Sequence, residues 1–221
     1  MELERVDTKR AYEWIRERIT TLELAPGAPL NEQELASDME MGLVPIREAL
    51  KLLAHDNLVV ITPRHGLYVA DVNVPDLEQL SEMRLSLEGL SARLAAGRAT
   101  DDDLVVLEAL RQEQASTDPK DSRRLFDIDH RFHEAIAQAA HNKYLGDALE
   151  RLFGLSQRLW YLALPQLGFL PSAVEKHLDL VQAIRAGDGD RAEEIMRAHV
   201  GEFYGQVREI LERPEEEGAS Q

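Results

Sequence analysis

Asp129, His133, His177 and His199 are the residues whose types and spacing point to chemistry, because each is a potential metal ligand on the apolar stripe of a predicted helix. Asp129 and His133 stand four apart in Phe126-Asp127-Ile128-Asp129-His130-Arg131-Phe132-His133-Glu134-Ala135-Ile136. That interval stacks both side chains on one helix face, beside Phe132 and Ile136. His177 falls among Val174, Leu178, Val181 and Ile184, and His199 among Ile195, Met196, Val200 and Phe203. A single histidine in such a stripe is usually a core residue satisfied by one neighbour. Three of them with an inward carboxylate would each need a separate buried partner. One divalent cation satisfies all four at once. Nitrogen and carboxylate ligands without sulfur suit Zn or Ni foremost, with Mn, Co and Fe also compatible. Four ligands close a tetrahedral Zn site, whereas an octahedral ion keeps positions open for water or an incoming carboxylate. His55, His65, His130 and His141 stay outside this set; His130 follows Asp129 directly and points about 100° around the helix.

A metal bundle of this kind could be an enzyme acting on small organic acids, but the groups such chemistry needs are missing. Glu134, next to His133, projects about 100° away from the ligand face, so no general base addresses a metal-bound water. The chain has no paired Glu-x-x-His motifs, no glycine-rich phosphate loop and no nucleophile elbow.

The elements that would carry these residues fall into two segments. From Pro75 onward the pattern is helical throughout. Pro75, Thr100, Pro119, Asn142 and Ser172 mark helix starts, the last with Glu175 three residues on, and Gly97, Gly168 and Gly187 mark stops. Six or so helices result, enough for an all-α bundle over 74–212. Residues 213–221, with Glu215-Glu216-Glu217, form an acidic tail expected to be disordered.

Residues 1–73 read differently. Asp7 or Thr8 opens a first helix carrying Tyr12, Ile15, Ile19 and Leu22, ended by Ala25-Pro26-Gly27. Asn31 with Glu34 starts a short second helix, Glu32 to Met39. A third begins near Val44, with Pro45 in its first turn and Ile46, Ala49, Leu50 and Leu53 as its buried stripe. Leu58-Val59-Val60-Ile61 and Leu67-Tyr68-Val69-Ala70 are predicted strands, joined by Thr62-Pro63-Arg64-His65-Gly66. Three helices and a hairpin in this order describe a winged helix-turn-helix, with the third helix as the reader of the DNA major groove. The fold class is thus mainly α: a winged helix followed by a helical bundle.

Bulk properties restrict the setting. The chain has 221 residues, no cysteine, a net charge of −16 and a pI near 4.8. Disulfides and thiolate metal sites are excluded. No apolar run is long enough to span a bilayer and no secretory pattern opens the chain, so the cytoplasm is the expected location. The charge argues against DNA binding through the global field, and the two segments carry −5 and −11. Any DNA contact must come from a local patch, for which Arg47, Lys51, Arg64 and His65 are the available cations, with Gly66 letting the wing backbone approach the minor groove.

Taken together, the motifs resemble the GntR family of bacterial transcription regulators, in the FadR-like branch with an all-helical FCD effector domain. The resemblance rests on Leu24-Ala25-Pro26-Gly27, Leu30-Asn31-Glu32, Glu34-Leu35-Ala36, Pro45-Ile46-Arg47-Glu48-Ala49-Leu50 and Arg64-His65-Gly66 in the first segment. In the second it rests on Glu82-Met83-Arg84, Asp129, Phe132-His133, Asn142-Lys143-Tyr144-Leu145, His177, Ala186-Gly187-Asp188 and His199. It implies a homodimer on double-stranded operator DNA, released or retained by a small carboxylate effector, and the expected role is that of a repressor. It also implies metal ligation by Asp129, His133, His177 and His199, an acid-facing role for Arg84, and DNA contact by Arg47, His65 and Gly66. From the residues alone, Arg84 reads equally as an intrahelical partner of Glu88. The turn before the third helix departs from the family pattern: Glu40 stands for a glycine, Gly42 for a capping serine and Leu43 for an arginine.

Overall fold

The computed structural model describes the backbone of residues 2–167 and 171–211. The predicted acidic tail, the Gly168 stop and the Ser172–Glu175 capping pair lie outside the residues and side chains described. The chain divides into two compact units: Met1–Asn73 with Gly154–Tyr161, and Val74–Phe153 with Leu162–Gln221.

In the first unit the elements run α1 (Glu2–Thr20), β1 (Pro29–Leu30), α2 (Glu32–Asp38), α3 (Leu43–His55), β2 (Val59–Thr62) and β3 (Gly66–Val69). Ile15 and Ile19 of α1, Leu35 of α2, and Ile46, Leu50 and Leu53 of α3 pack with Val59 and Val69 into one core. The helix periodicity of these residues and the alternation in the strands create that core; burying each aliphatic side chain contributes about 1.5–3 kcal/mol. Asn31 caps α2 by accepting from the Gln33 and Glu34 amides. The sheet is antiparallel in the order β1-β3-β2, with Val60 opposite Tyr68 and Thr62 opposite Gly66.

In this unit three local expectations need correcting. Helix α1 begins at Glu2, well before Asp7. It ends at Thr20, before Ala25-Pro26-Gly27, because Leu22 already takes a left-handed φ of 62°. The two-residue strand β1 adds a third strand to the hairpin through the pairings Pro29–Tyr68 and Leu30–Leu67. The turn between α2 and α3 places Glu40 at φ 51°, where the Glu40 and Met41 amides donate back to Ser37 and Ala36. Gly42 then opens α3 with no side-chain cap.

The second unit holds α4 (Val74–Arg98), α5 (Asp101–Ser116), α6 (Ser122–Ala139), most of α7 (Lys143–Leu167), α8 (Pro171–Arg185) and α9 (Gly189–Leu211). Thr100 starts α5 through a reciprocal capping box with Asp103. Helix α6 starts at Asp121, whose carboxylate accepts from the Arg124 amide, rather than at Pro119, which lies in the preceding turn. Gly97 does not stop α4, which runs through Arg98. Gly187 does stop α8: at φ 72° it and Asp188 donate to the carbonyls of Ile184 and Ala183. The long helices α4 and α9 lie against one another so closely that a Cβ on Gly89 would meet Arg197 Cγ at 2.9 Å. Arg93 of α4 bridges to Asp190 and Glu193 at the start of α9. Among the described residues no helix is long and apolar enough to cross a membrane.

Candidate metal centre

Helices α6, α8 and α9 deliver four side chains to one point. One ligand atom from each of Asp129, His133, His177 and His199 lies within 4.8 Å of all the others. The three histidines are buried and Asp129 is largely so. His133 Nε2 is 3.0 Å from His199 Nε2, and His177 Nε2 is 3.4 Å from that same atom. Asp129 Oδ1 stands 3.2 Å from His177 Nε2 and 3.4 Å from His199 Nε2, with Oδ2 3.7 Å from His133 Nε2. A tetrahedron with bonds of about 2.05 Å has edges of about 3.3 Å. The donor set therefore has the spacing of a coordination shell.

Hydrogen bonding explains why a cation fits. His133 Nδ1 lies 2.7 Å from Glu88 Oε2, and His177 Nδ1 lies 2.9 Å from Gln114 Oε1. Glu88 can only accept, so the His133 ring proton sits on Nδ1 and its Nε2 presents a lone pair inward; Gln114 Oε1 supports the same form of His177 when that ring carries its proton on Nδ1. Those two lone pairs converge on His199 Nε2, and one proton there can satisfy only one of them. A metal ion satisfies them all and takes the Asp129 carboxylate as well.

Behind His133 the chain of contacts continues. Arg84 Nε and Nη2 both donate to Glu88 Oε1, the first at 3.1 Å, and all three residues are buried. The guanidinium also sits 5.1 Å from the Phe153 ring centroid and 5.8 Å from that of Tyr204. Burial would push the Glu88 carboxyl up, but His133 and Arg84 outweigh it and hold it at about 2. Burial would lower Arg84, and Glu88 reverses that and raises it above its ordinary value. Burial likewise opposes the charge on Asp129, yet hydrogen bonds from His177 and His199 and the charge of His133 keep it well below the carboxylate range. The two outer histidines diverge. Burial would lower His133, but Glu88 raises it; burial wins at His177, which falls to about 4. The difference tracks the partner, a carboxylate behind one ring and a neutral amide behind the other.

Glu88 and Gln114 are the site residues that the sequence reading missed. Glu88 figured there only as a helical neighbour of Arg84, and Gln114 not at all. The one usable signal was the rule that every buried histidine needs a partner for its second nitrogen. Arg84 proves to be the intrahelical pair with Glu88 and is also joined through it to a candidate ligand. His130 lies off the cluster and stacks on Phe153, with centroids 3.7 Å apart.

The candidate DNA residues lie in the first unit and are exposed. Arg47 and Lys51 are one turn apart on α3, and both already have acidic partners. Arg47 Nε donates to Glu32 Oε2 at 2.8 Å, and Lys51 Nζ to Glu48 Oε1 at 2.7 Å. Arg64, His65 and Gly66 form the β2–β3 turn, where Arg64 takes φ 67° and Gly66 φ 111°. Nothing lies within 4 Å of a Cβ built on Gly66, so backbone conformation rather than space calls for glycine there.

Comparison with known proteins agrees with this architecture. Residues 7–69 match the bacterial regulatory proteins of the gntR family, and residues 79–202 match the FCD domain. The chain is 30% identical to the HTH-type transcriptional repressor RspR of Escherichia coli (strain K12), over 91% of this chain and 89% of that protein. It is 29% identical to the HTH-type transcriptional repressor GlaR of the same organism, over 86% and 90%. In fold it is similar to the solved structure of E. coli McbR/YncC, with a TM-score of 0.79 at 22% identity, covering 92% of this chain and 97% of that one. The matched family consists of regulators, which sets aside the reading as a metal-dependent enzyme. The chain belongs to the GntR family of bacterial regulatory proteins, carries an FCD domain, and is a DNA-binding transcriptional regulator.

Proposed function

We propose that this regulator is a cytoplasmic, homodimeric repressor whose grip on operator DNA is set by a small carboxylate metabolite bound beside a divalent metal ion. Residues 1–73 read the operator. Arg47 and Lys51 of α3 address the major groove, while Arg64, His65 and Gly66 of the β2–β3 turn address the adjacent backbone and minor groove. Residues 74–212 hold the metal, the effector and the dimer contacts. The metal, Zn or Ni foremost, is held by Asp129, His133, His177 and His199, and supplies Lewis acidity toward a carboxylate oxygen.

One observation carries this reading: four ligand atoms within 4.8 Å, joined through His133 and Glu88 to the buried Arg84. A buried guanidinium next to a cation site is suited to the far side of a small carboxylate. It is not idle in the metal-free arrangement, since Glu88 already occupies it. An incoming acid must therefore share Arg84 with Glu88, and that exchange is the natural origin of a signal.

The test is operator binding by fluorescence anisotropy with upstream DNA, with and without added Zn and a panel of small organic acids. We expect one acid class to shift operator affinity, and only for the metal-loaded protein. Arg84→Lys keeps the charge opposite Glu88 but loses the planar fork, so it should retain Zn and lose the acid response. An unchanged acid response in Arg84→Lys, or an acid response indifferent to chelation, overturns the assignment.

A further inference from the structure

We propose that Gln114 is a positioning residue of the metal centre, whose amide reverses when metal is loaded so that His177 can exchange one ring tautomer for the other. The inference rests on the metal-site reading above and concerns how that site changes between its metal-free and loaded forms.

Glu88 and Gln114 occupy equivalent places behind two candidate ligands but differ in what they permit. Ionised Glu88 only accepts, so it holds His133 with its proton on Nδ1. Gln114 presents an acceptor at one end of its amide and a donor at the other. As placed, Oε1 faces His177 Nδ1 at 2.9 Å, while Nε2 is buried and has no hydrogen-bond partner. That arrangement frees His177 Nε2 to ligate, and it leaves an unsatisfied donor inside the protein, which is unfavourable.

Without metal a better arrangement exists with the same heavy atoms. A neutral imidazole carries one ring proton. If it sits on Nε2, it points at Asp129 Oδ1, 3.2 Å away. His177 Nδ1 then bears the lone pair, and Gln114, with its amide turned over, donates Nε2–H to it. The amide donor takes the place of Oε1 beside the ring, Oε1 moves to where Nε2 stood, and the net gain is the proton donor that the Asp129 carboxylate acquires. Metal loading reverses both changes: the ring proton leaves Nε2, Nδ1 is protonated from solvent, and Gln114 turns Oε1 toward it. No proton is gained or lost by the ring overall. Phe132, stacked on His177 with centroids 4.0 Å apart and planes 20° apart, keeps the ring plane in place. A carboxylate at position 114 would forbid the metal-free form, and an aliphatic side chain would support neither.

The experiment is 15N NMR of imidazole-labelled full-length protein, metal-free and loaded with Zn, with Zn affinity measured in parallel by chelator competition. We expect His177 to show protonated Nε2 without metal and protonated Nδ1 with Zn, while His133 keeps protonated Nδ1 in both. Gln114→Glu should hold His177 as the Nδ1–H form even without metal and bind Zn at least as tightly as wild type. Gln114→Leu should weaken Zn by about 10–100-fold. If wild type binds Zn but His177 shows protonated Nδ1 in both states, the tautomer exchange is wrong and the metal site stands. Equal Zn affinity in Gln114→Leu also overturns the positioning role. If wild type takes up no Zn or Ni, the metal-site reading itself falls, and this inference with it. The wild-type spectra decide the question even where the leucine variant does not fold.

Discussion

Glu88 Oε2 accepts from His133 Nδ1 at 2.7 Å, and the same carboxylate holds Arg84 through Oε1, so a buried ion pair and a candidate metal ligand share one side chain. Removing one member of a buried pair strands the other. Glu88→Leu should destabilise the protein by about 3–5 kcal/mol. Arg84→Met combined with Glu88→Leu should cost less than either single change. Chemical denaturation of the three variants, arranged as a double-mutant cycle, checks this; additive losses would mean that the pair is not coupled.

Chelation should lower the melting temperature, and added Zn or Ni should restore it. At a metal concentration one hundred times its Kd the gain is about 2.7 kcal/mol. His177→Ala and His199→Ala should lose bound metal and that stabilisation, whereas His130→Ala, stacked on Phe153, should keep both. Elemental analysis of the three variants beside wild type decides between a shared site and independent core histidines.

The metal-free protein should lose stability in mild acid. Burial holds His177 near 4 against an ordinary value of 6.5, in spite of the opposing hydrogen bond to Asp129. His133 and His199 also face the ring and disfavour a second positive charge, while Gln114 is neutral. Between those two pH values only the unfolded chain takes the proton at this position, so the His177 contribution falls as pH drops from 6.5 toward 4 and then levels off. His133 has the opposite sign: its raised value adds stability that is lost as pH rises through it. Melting curves of wild type and His177→Gln across pH 4–7, in chelator, should differ in slope over that window.

Arg47→Ala should weaken specific operator binding by about 1–3 kcal/mol and leave thermal unfolding nearly unchanged, because its partner Glu32 is exposed enough for the pair to add little stability. Equal affinity of mutant and wild type at one salt concentration would remove Arg47 from the interface.

Glu40→Gly should stabilise the protein by about 0.5–1 kcal/mol, because Glu40 holds a left-handed φ of 51° that glycine adopts without a Cβ penalty. Urea unfolding gives the sign directly, and a loss of stability would show that the Glu40 side chain contributes more than its strained backbone costs.

The helical architecture was legible in the sequence because its signals are local. Period-3.6 stripes announced α3, α6, α8 and α9, and the side-chain caps at Asn31 and Thr100 marked helix starts. The i,i+4 spacing of Asp129 and His133, and the apolar neighbours of His177 and His199, identified inward-facing positions without any knowledge of how the helices pack. What escaped depends on distant partners. β1 is two residues long and exists only through its pairing with β3, so no alternation could reveal it. Glu88 and Gln114 meet their histidines across 45 and 63 residues of chain, and a polar residue on a helix gives no sign of which distant ring it will face. Pro119 misled for a related reason: it marked the turn, while the side chain of Asp121 set the first residue of α6.

The pairing of Arg47 with Glu32 and of Lys51 with Glu48 has a consequence for ionic strength. Ordinarily each cation that meets a phosphate releases condensed counterions, and the logarithm of affinity falls with the logarithm of salt by about 0.9 per contact. Here the cations bring resident carboxylate counterions of their own. Salt weakens those internal pairs as it weakens the contacts to phosphate, so part of its effect cancels. The measured slope should therefore be shallower than the number of phosphates touched, and a contact count taken from salt titration alone would be too low.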